Sequence, residues 1–158
     1  MRLVSLAALG AGLYLAMRTD DAGDSTDTPR GIRNNNPGNI ERGADWQGLA
    51  DDQSGDPRFA VFKSPVWGIR AMARILDTYQ SRHGLNTIQG IINRWAPPGE
   101  NDSQAYAEHV AGKIGISATE PLPAGDSTRS QLIAAIIEHE NGVQPYPDSL
   151  IRQGIELA

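Results

Sequence analysis

Apolar residues recur at intervals of three to four positions through much of the chain after Ser64, which is the spacing of one helical face. Polar segments with glycine or proline separate these stretches, so the pattern predicts several short helices. Ser64-Pro65 is a good helix start, because a polar cap residue precedes proline at the first helical position. The predicted helices run from Ser64-Pro65 to His83-Gly84, from the cap Thr87 to Pro97-Pro98, and from Asp102 or Ser103 to Gly115. Two more are predicted, from the cap Thr128 (with Gln131 as a capping box) to Gly142, and from the cap Asp148 through Ile155.

The region from Arg30 to Phe62 has a different pattern, rich in Gly, Asn, Asp and Pro with isolated aromatic residues. Asn36-Pro37-Gly38-Asn39 is a strong turn signal, because Pro suits the second turn position and Gly the third. Residues 58–62 nearly alternate and predict a short strand, with residues 39–42 as its partner. Together these patterns predict a mainly α (α+β) domain with loops and a small β-hairpin.

The N-terminal residues form a separate unit. Leu3 to Met17 carries no charge and is flanked by Arg2 and Arg18, which favours a membrane anchor or an uncleaved signal over residues 1–18. The alternative is a buried core helix, although the segment is apolar on all sides. Residues 19–29 contain four aspartates and no large apolar side chain, and are predicted to be an acidic flexible linker. The folded domain is therefore expected to span residues 30–158.

The composition limits which kinds of catalytic or binding site the chain can form. The 158 residues include no cysteine, which excludes disulfides, thiolate metal sites and cysteine nucleophiles. The formal net charge of −5, without a basic run, argues against nucleic acid as a partner. His139-Glu140 begins like the zinc motif HExxH, but Val143 stands where the second histidine is required. No metal and no cofactor is expected.

One glutamate is placed for chemistry by helix geometry. At 100° per residue, the apolar residues of Leu132–Ile137 centre at about 70°, with Leu132 at zero. Glu140 falls at about 80°, inside that face, and Glu138 at about 240°, on the opposite side. Desolvation and the negative end of the helix dipole both raise the pKa of a carboxyl placed there, as a glycosidase general acid requires. The alternative is a structural glutamate bonded to backbone N–H groups or an arginine.

Amides and aromatic residues supply candidates for sugar binding. Asn36 and Asn39 lie in a turn rich in asparagine, where amides either cap the backbone or bind hydroxyl and N-acetyl groups. Trp46 and Tyr106 are the aromatic residues predicted to stack on sugar rings, although most large aromatics of the chain are expected in the core. Trp95 is predicted to be a packing residue.

Two resemblances follow from the segments "RGIRNNNPGNIERGADWQGL", "RFAVFKSPVWGIRAMARILDTY" and "IINRWAPPGENDSQAYAEHV". From Arg30 nearly to the end, the chain resembles a family of bacteriophages and prophages labelled virion structural protein. The same segments resemble the lysozyme-like superfamily, particularly flagellar-type glucosaminidases and lytic transglycosylases.

The lysozyme-like resemblance implies a rearranged chain order. In those enzymes the catalytic glutamate precedes the asparagine segment, on an apolar helix ending in Glu-Ser-Gly or similar. Here Glu140-Asn141-Gly142 ends a later helix, which suggests a circularly permuted lysozyme-like domain. The resemblance and the helix geometry select the same residue, Glu140, as catalytic.

The expected function is therefore cleavage of peptidoglycan by a phage-encoded glycosidase, of the lytic transglycosylase or muramidase type. A transglycosylase uses one carboxyl and the substrate's own hydroxyl, whereas an inverting hydrolase needs a second carboxylate. Asp45, Asp51, Asp52 and Asp56 are the candidates for that second group. The alternatives are a non-enzymatic virion protein associated with a membrane, and a sugar-binding module.

The expected partners and location follow from this reading. The partners are glycan strands, a membrane through residues 3–17, and other virion proteins. The location is the virion or the periplasmic side of the host inner membrane.

Overall fold

The computed structural model describes residues 27–158, which contain six helices and no sheet. The segment Leu3–Met17 and most of the linker lie outside the described residues. From residue 27 onward, none of the helices has the length and apolar character needed to span a bilayer. The helices are α1 (Arg30–Arg33), α2 (Pro65–His83), α3 (Ile88–Trp95), α4 (Ser103–Ile114), α5 (Asp126–Asn141) and α6 (Asp148–Glu156).

The helix limits agree with the sequence pattern where capping chemistry is local. Thr87 accepts a hydrogen bond from the Gly90 N–H at the start of α3, and Asp102 accepts one from the Ala105 N–H at the start of α4. Both bonds satisfy an amide that has no partner within its helix. The helix α2 begins at Pro65 as predicted.

Three local predictions were wrong. The helix α5 begins at Asp126 after Gly125, so Thr128 lies inside the helix and is not a cap. Asp148 is the first residue of α6 and not its cap, because its carboxylate binds Ser130 and Arg152. The helix α1 was not predicted, since its four residues are too few to show a helical period.

The predicted hairpin pairing is present as isolated bridges. Glu41 pairs with Phe59 and Leu49 with Phe62, both antiparallel. Ala60 N–H donates to the Ile40 carbonyl at 2.9 Å, within the two segments predicted to pair. This β element is too short to count as strands, so the confirmed class is mainly α.

One apolar core joins the helices. The helix α2 packs on α6, and α5 packs on α4, α6, α1 and α2, while α3 packs on α4. Trp95 at the end of α3 and Tyr106 on α4 are among the largest fully buried side chains. The C-terminal end of α5 therefore lies where α1, the asparagine turn, α3 and α4 meet.

Candidate active site around a buried glutamate

The helix α5 directs Glu140 into the protein. The apolar residues of its predicted face are buried, and Glu140 itself is only 4% exposed. Glu138 points away from this face and forms an ion pair with Lys113 at 2.7 Å. Gly142 ends the helix in the left-handed region, with φ 71°. The inward orientation predicted for Glu140 is confirmed.

Three side chains from three segments donate hydrogen bonds to the Glu140 carboxyl. Asn39 Nδ2 donates to Oε2 at 3.0 Å, while Tyr106 Oη and Trp95 Nε1 donate to Oε1 at 2.9 and 3.3 Å. All three donors are neutral and buried. Within residues 27–158, the carboxyl thus has hydrogen-bond donors but forms no ion pair with a cation.

Burial raises the pKa of Glu140 from 4.5 to about 7. The hydrogen bonds from Asn39, Tyr106 and Trp95 favour the ionised form and act in the opposite direction. Desolvation prevails, so a large share of the molecules carries a protonated Glu140 near neutral pH. This is the state from which a carboxyl can transfer a proton to an oxygen atom.

A hydrogen bond from Asn141 and the tight fit around Gly31 hold the asparagine turn against the end of α5. Asn141 Nδ2 donates to the Pro37 carbonyl at 2.8 Å. A Cβ atom at Gly31 would lie 2.4 Å from Asn141 Oδ1 and 3.0 Å from Asn39 Oδ1, so only glycine fits there. Asn39 Oδ1 and Asn141 Oδ1 are both buried and accept no hydrogen bond from residues 27–158.

The four residues predicted to bind substrate occupy different environments. Asn39 and Tyr106 touch the Glu140 carboxyl, but the Tyr106 ring is buried and stacks on His139, with centroids 3.6 Å apart. Asn36 is fully buried, and its amide bonds the carbonyls of the hairpin segments. Trp46 is half-buried against the core. Their role in substrate binding stays a prediction.

The candidates for a second carboxylate also differ. Asp45, Asp51 and Asp52 are exposed, whereas Asp56 is buried. Burial raises the pKa of Asp56, but hydrogen bonds from the Phe59 and Arg58 N–H groups and from Asn34, with the charge of Arg30, outweigh it and lower the pKa. An ionised, fully bonded Asp56 is a structural anchor of the hairpin. Among residues 27–158, no cluster of three His, Asp or Glu side chains has the geometry of a metal site.

Trp95 is the contact that the sequence did not reveal. Its side chain was predicted to pack, and it does so with 0% exposure, but its indole N–H also reaches Glu140. A buried indole N–H usually has an acceptor, and Glu140 was the one acidic residue predicted to be buried. That complementarity is the one sequence signal that could have suggested this pair.

Comparison with known proteins places the chain among phage proteins. No family model matches it. Protein P5 of Pseudoalteromonas phage PM2 is 44% identical over 160 residues, which cover 99% of this chain and 94% of the phage protein. The chain belongs to the family of that protein. The relationship extends over the acid site and the N-terminal segment alike, because the alignment covers nearly the whole chain.

The comparison confirms the phage resemblance at the level of the family. The name of the PM2 protein states no activity. The lysozyme-like relationship and the permuted chain order therefore stay predictions.

Proposed function

We propose that this chain is a phage virion component whose folded domain cleaves peptidoglycan glycan strands, with Glu140 as the general acid. The observation that carries the proposal is a buried carboxyl, with a pKa of about 7, held against the asparagine turn by neutral donors. Membership of a phage protein family supports the virion part. The resemblance to lytic transglycosylases and flagellar-type glucosaminidases supports the substrate class.

The proposed reaction uses one proton. Protonated Glu140 transfers its proton to the glycosidic oxygen as the bond between that oxygen and the anomeric carbon breaks. A hydroxyl of the same sugar then attacks the anomeric carbon, and its proton returns to the Glu140 carboxylate. The acid is regenerated, and no second carboxylate is needed. Of the four candidate aspartates, Asp56 is held by its contacts with the hairpin, which leaves the route that needs no second carboxylate as the simpler proposal.

Surrounding residues have distinct roles in this proposal. Asn39 and Tyr106 tune and orient the carboxyl, Trp95 supports it from the core, and Asn36 shapes the turn. Trp46 is retained as the sugar-stacking residue. The segment of residues 3–17 is proposed to attach the protein to a membrane, in the virion or on the periplasmic side of the host inner membrane.

A zymogram on murein tests the catalytic proposal. The full chain is compared with Glu140→Gln and with Glu138→Gln, which makes the same chemical change on the half-exposed side of α5. Clearing by wild type and Glu138→Gln, but not by Glu140→Gln, is expected. Clearing by Glu140→Gln equal to wild type would refute the assignment. Mass spectrometry of the products separates internal anhydro sugars from reducing ends and so distinguishes transglycosylase from hydrolase.

The second candidate is a virion structural protein without enzymatic activity. It is favoured by the 4% exposure of Glu140, since a general acid must touch its substrate and this carboxyl is almost completely covered. In this case the carboxyl and its three donors would only fasten α3, α4 and the turn to α5. No clearing by any of the three proteins, all shown to be folded by circular dichroism, is the result that supports it.

A further inference from the structure

Two of the three histidines of the chain face each other between α4 and α5. His109 Nδ1 and His139 Nδ1 are 2.8 Å apart, which is hydrogen-bond distance. One nitrogen must donate and the other must accept, so the pair shares a single Nδ1 proton. When both rings are protonated, two Nδ1–H donors and two positive charges face each other, and the contact cannot persist.

This histidine pair is connected to the buried acid through Tyr106. The His139 ring stacks on the Tyr106 ring at 3.6 Å with an interplanar angle of 25°, and Tyr106 Oη donates to Glu140 at 2.9 Å. Tyr106 and His109 both belong to α4, which therefore covers one side of the carboxyl. A second link between these helices, Lys113 to Glu138, lies one turn further along α4.

We propose that the His109–His139 pair is a proton-operated latch that holds α4 over Glu140, and that its double protonation releases α4 and opens the carboxyl to a glycan strand. The functional part rests on the proposed glycosidase activity; the latch itself does not. Such an opening would reconcile a general acid with its almost complete burial in the closed state.

In the part of the chain that the structure describes, one ion pair, Lys113 with Glu138, joins α4 to α5 beside the latch. Tyr106, His109 and Lys113 of α4 face it, together with Glu138 and Glu140 of α5. The polar contacts of α5 with α2 and α6, Arg129 with Asp77 and Ser130 with Asp148, lie near the other end of α5. On α1, Arg30 pairs with Asp56 and Arg33 is exposed.

His139 and Glu140 gain a proton in different pH ranges. Burial, followed by the proximity of His109, lowers the pKa of His139 to about 4. Glu140, with a pKa of about 7, has already gained its proton before the pH falls that far. An acid-opened site would therefore expose Glu140 in the protonated form that a general acid requires.

Hydrogen–deuterium exchange on the full chain tests the latch without depending on activity. Exchange is measured at pH 7.5 and pH 4.0 in the same detergent, and rates are corrected for intrinsic pH dependence. In wild type, protection of α4 is expected to fall about tenfold or more at pH 4.0, while α2 and α6 keep theirs. His139→Phe keeps an aromatic ring on Tyr106 but takes up no proton at position 139, so its α4 protection should not fall at pH 4.0.

Two further variants keep the test decisive. His109→Gln retains a polar side chain but cannot be charged, and should also abolish the pH effect if His139→Phe fails to fold. His83→Gln changes the exposed third histidine at the end of α2 and should behave as wild type. The latch is wrong if α4 protection in wild type is independent of pH, or if the drop persists in both latch variants. If α4 opens but no protein clears murein, the latch stands and the catalytic proposal falls.

Discussion

Glu140→Gln removes the charge that the buried site can acquire while preserving the size of the side chain. The glutamine oxygen can accept the bonds from Tyr106 and Trp95, but its NH₂ group would face the Asn39 NH₂ group. Asn39 can resolve this conflict by turning its amide, because its Oδ1 is buried without a partner in residues 27–158. We therefore expect the variant to fold with its hydrogen bonds intact.

The size of the effect on the free energy of unfolding follows from the pKa of Glu140, which is about 7 in the native protein and ordinarily 4.5. Between these values the native state retains a proton that the unfolded state has lost, so stability falls as the pH rises. Below pH 4.5 both states are protonated and the penalty is absent. Above pH 7 it is complete, and a shift of this size corresponds to about 3 kcal/mol. Glu140→Gln should lack this penalty.

The assay is urea unfolding of wild type, Glu140→Gln and Glu138→Gln from pH 4.5 to pH 9. The stability of Glu140→Gln relative to wild type should rise with pH by up to about 1.4 kcal/mol per pH unit and level off above pH 8. Glu138→Gln should instead run nearly parallel to wild type, because Glu138 is half-exposed and paired with Lys113. A constant difference between Glu140→Gln and wild type would show that Glu140 titrates near its ordinary pKa, and the reasoning would fail.

Three other changes have definite expected outcomes. Gly31→Ala should destabilise the domain by about 2 kcal/mol or more in thermal unfolding, because its Cβ would lie 2.4 Å from Asn141 Oδ1; unchanged stability would contradict the close approach. Tyr106→Phe should raise the pKa of Glu140 in a carbon-13 NMR titration, because it removes a donor that favours the carboxylate; a lowered pKa would contradict this bond. Deletion of residues 1–29 should abolish flotation with liposomes, whereas retained flotation would refute the proposed anchor.

Local signals made much of the fold predictable. The starts of α2, α3 and α4 follow from Pro65, Thr87 and Asp102, whose effects act within one turn of the backbone. The inward face of α5 follows from the helical period, so the burial of Glu140 was predictable from spacing alone. Each of these features depends on residues that are neighbours in sequence.

Features that depend on distant contacts were not predictable. Trp95 and Asn39 meet Glu140 across separations of 45 and 101 positions, and no local pattern records such a meeting. His109 and His139 are 30 positions apart, and no local pattern in the sequence pairs them. The wrong prediction at Thr128 has a local cause. Thr128 and Gln131 have the spacing of a capping box, but they lie inside a helix that already begins at Asp126.

The chemistry of the site favours a functional carboxyl over a purely structural one. A glutamine at position 140 would accept the same bonds from Tyr106 and Trp95, and the turned amide of Asn39 would complete the set. It would do so at every pH, without the loss of stability that a buried carboxyl incurs as the pH rises through about 7. For fastening helices together, glutamine is therefore the better residue. A carboxyl has one property that glutamine lacks, a proton it can give and recover, and the histidine latch offers a route by which a substrate reaches that proton.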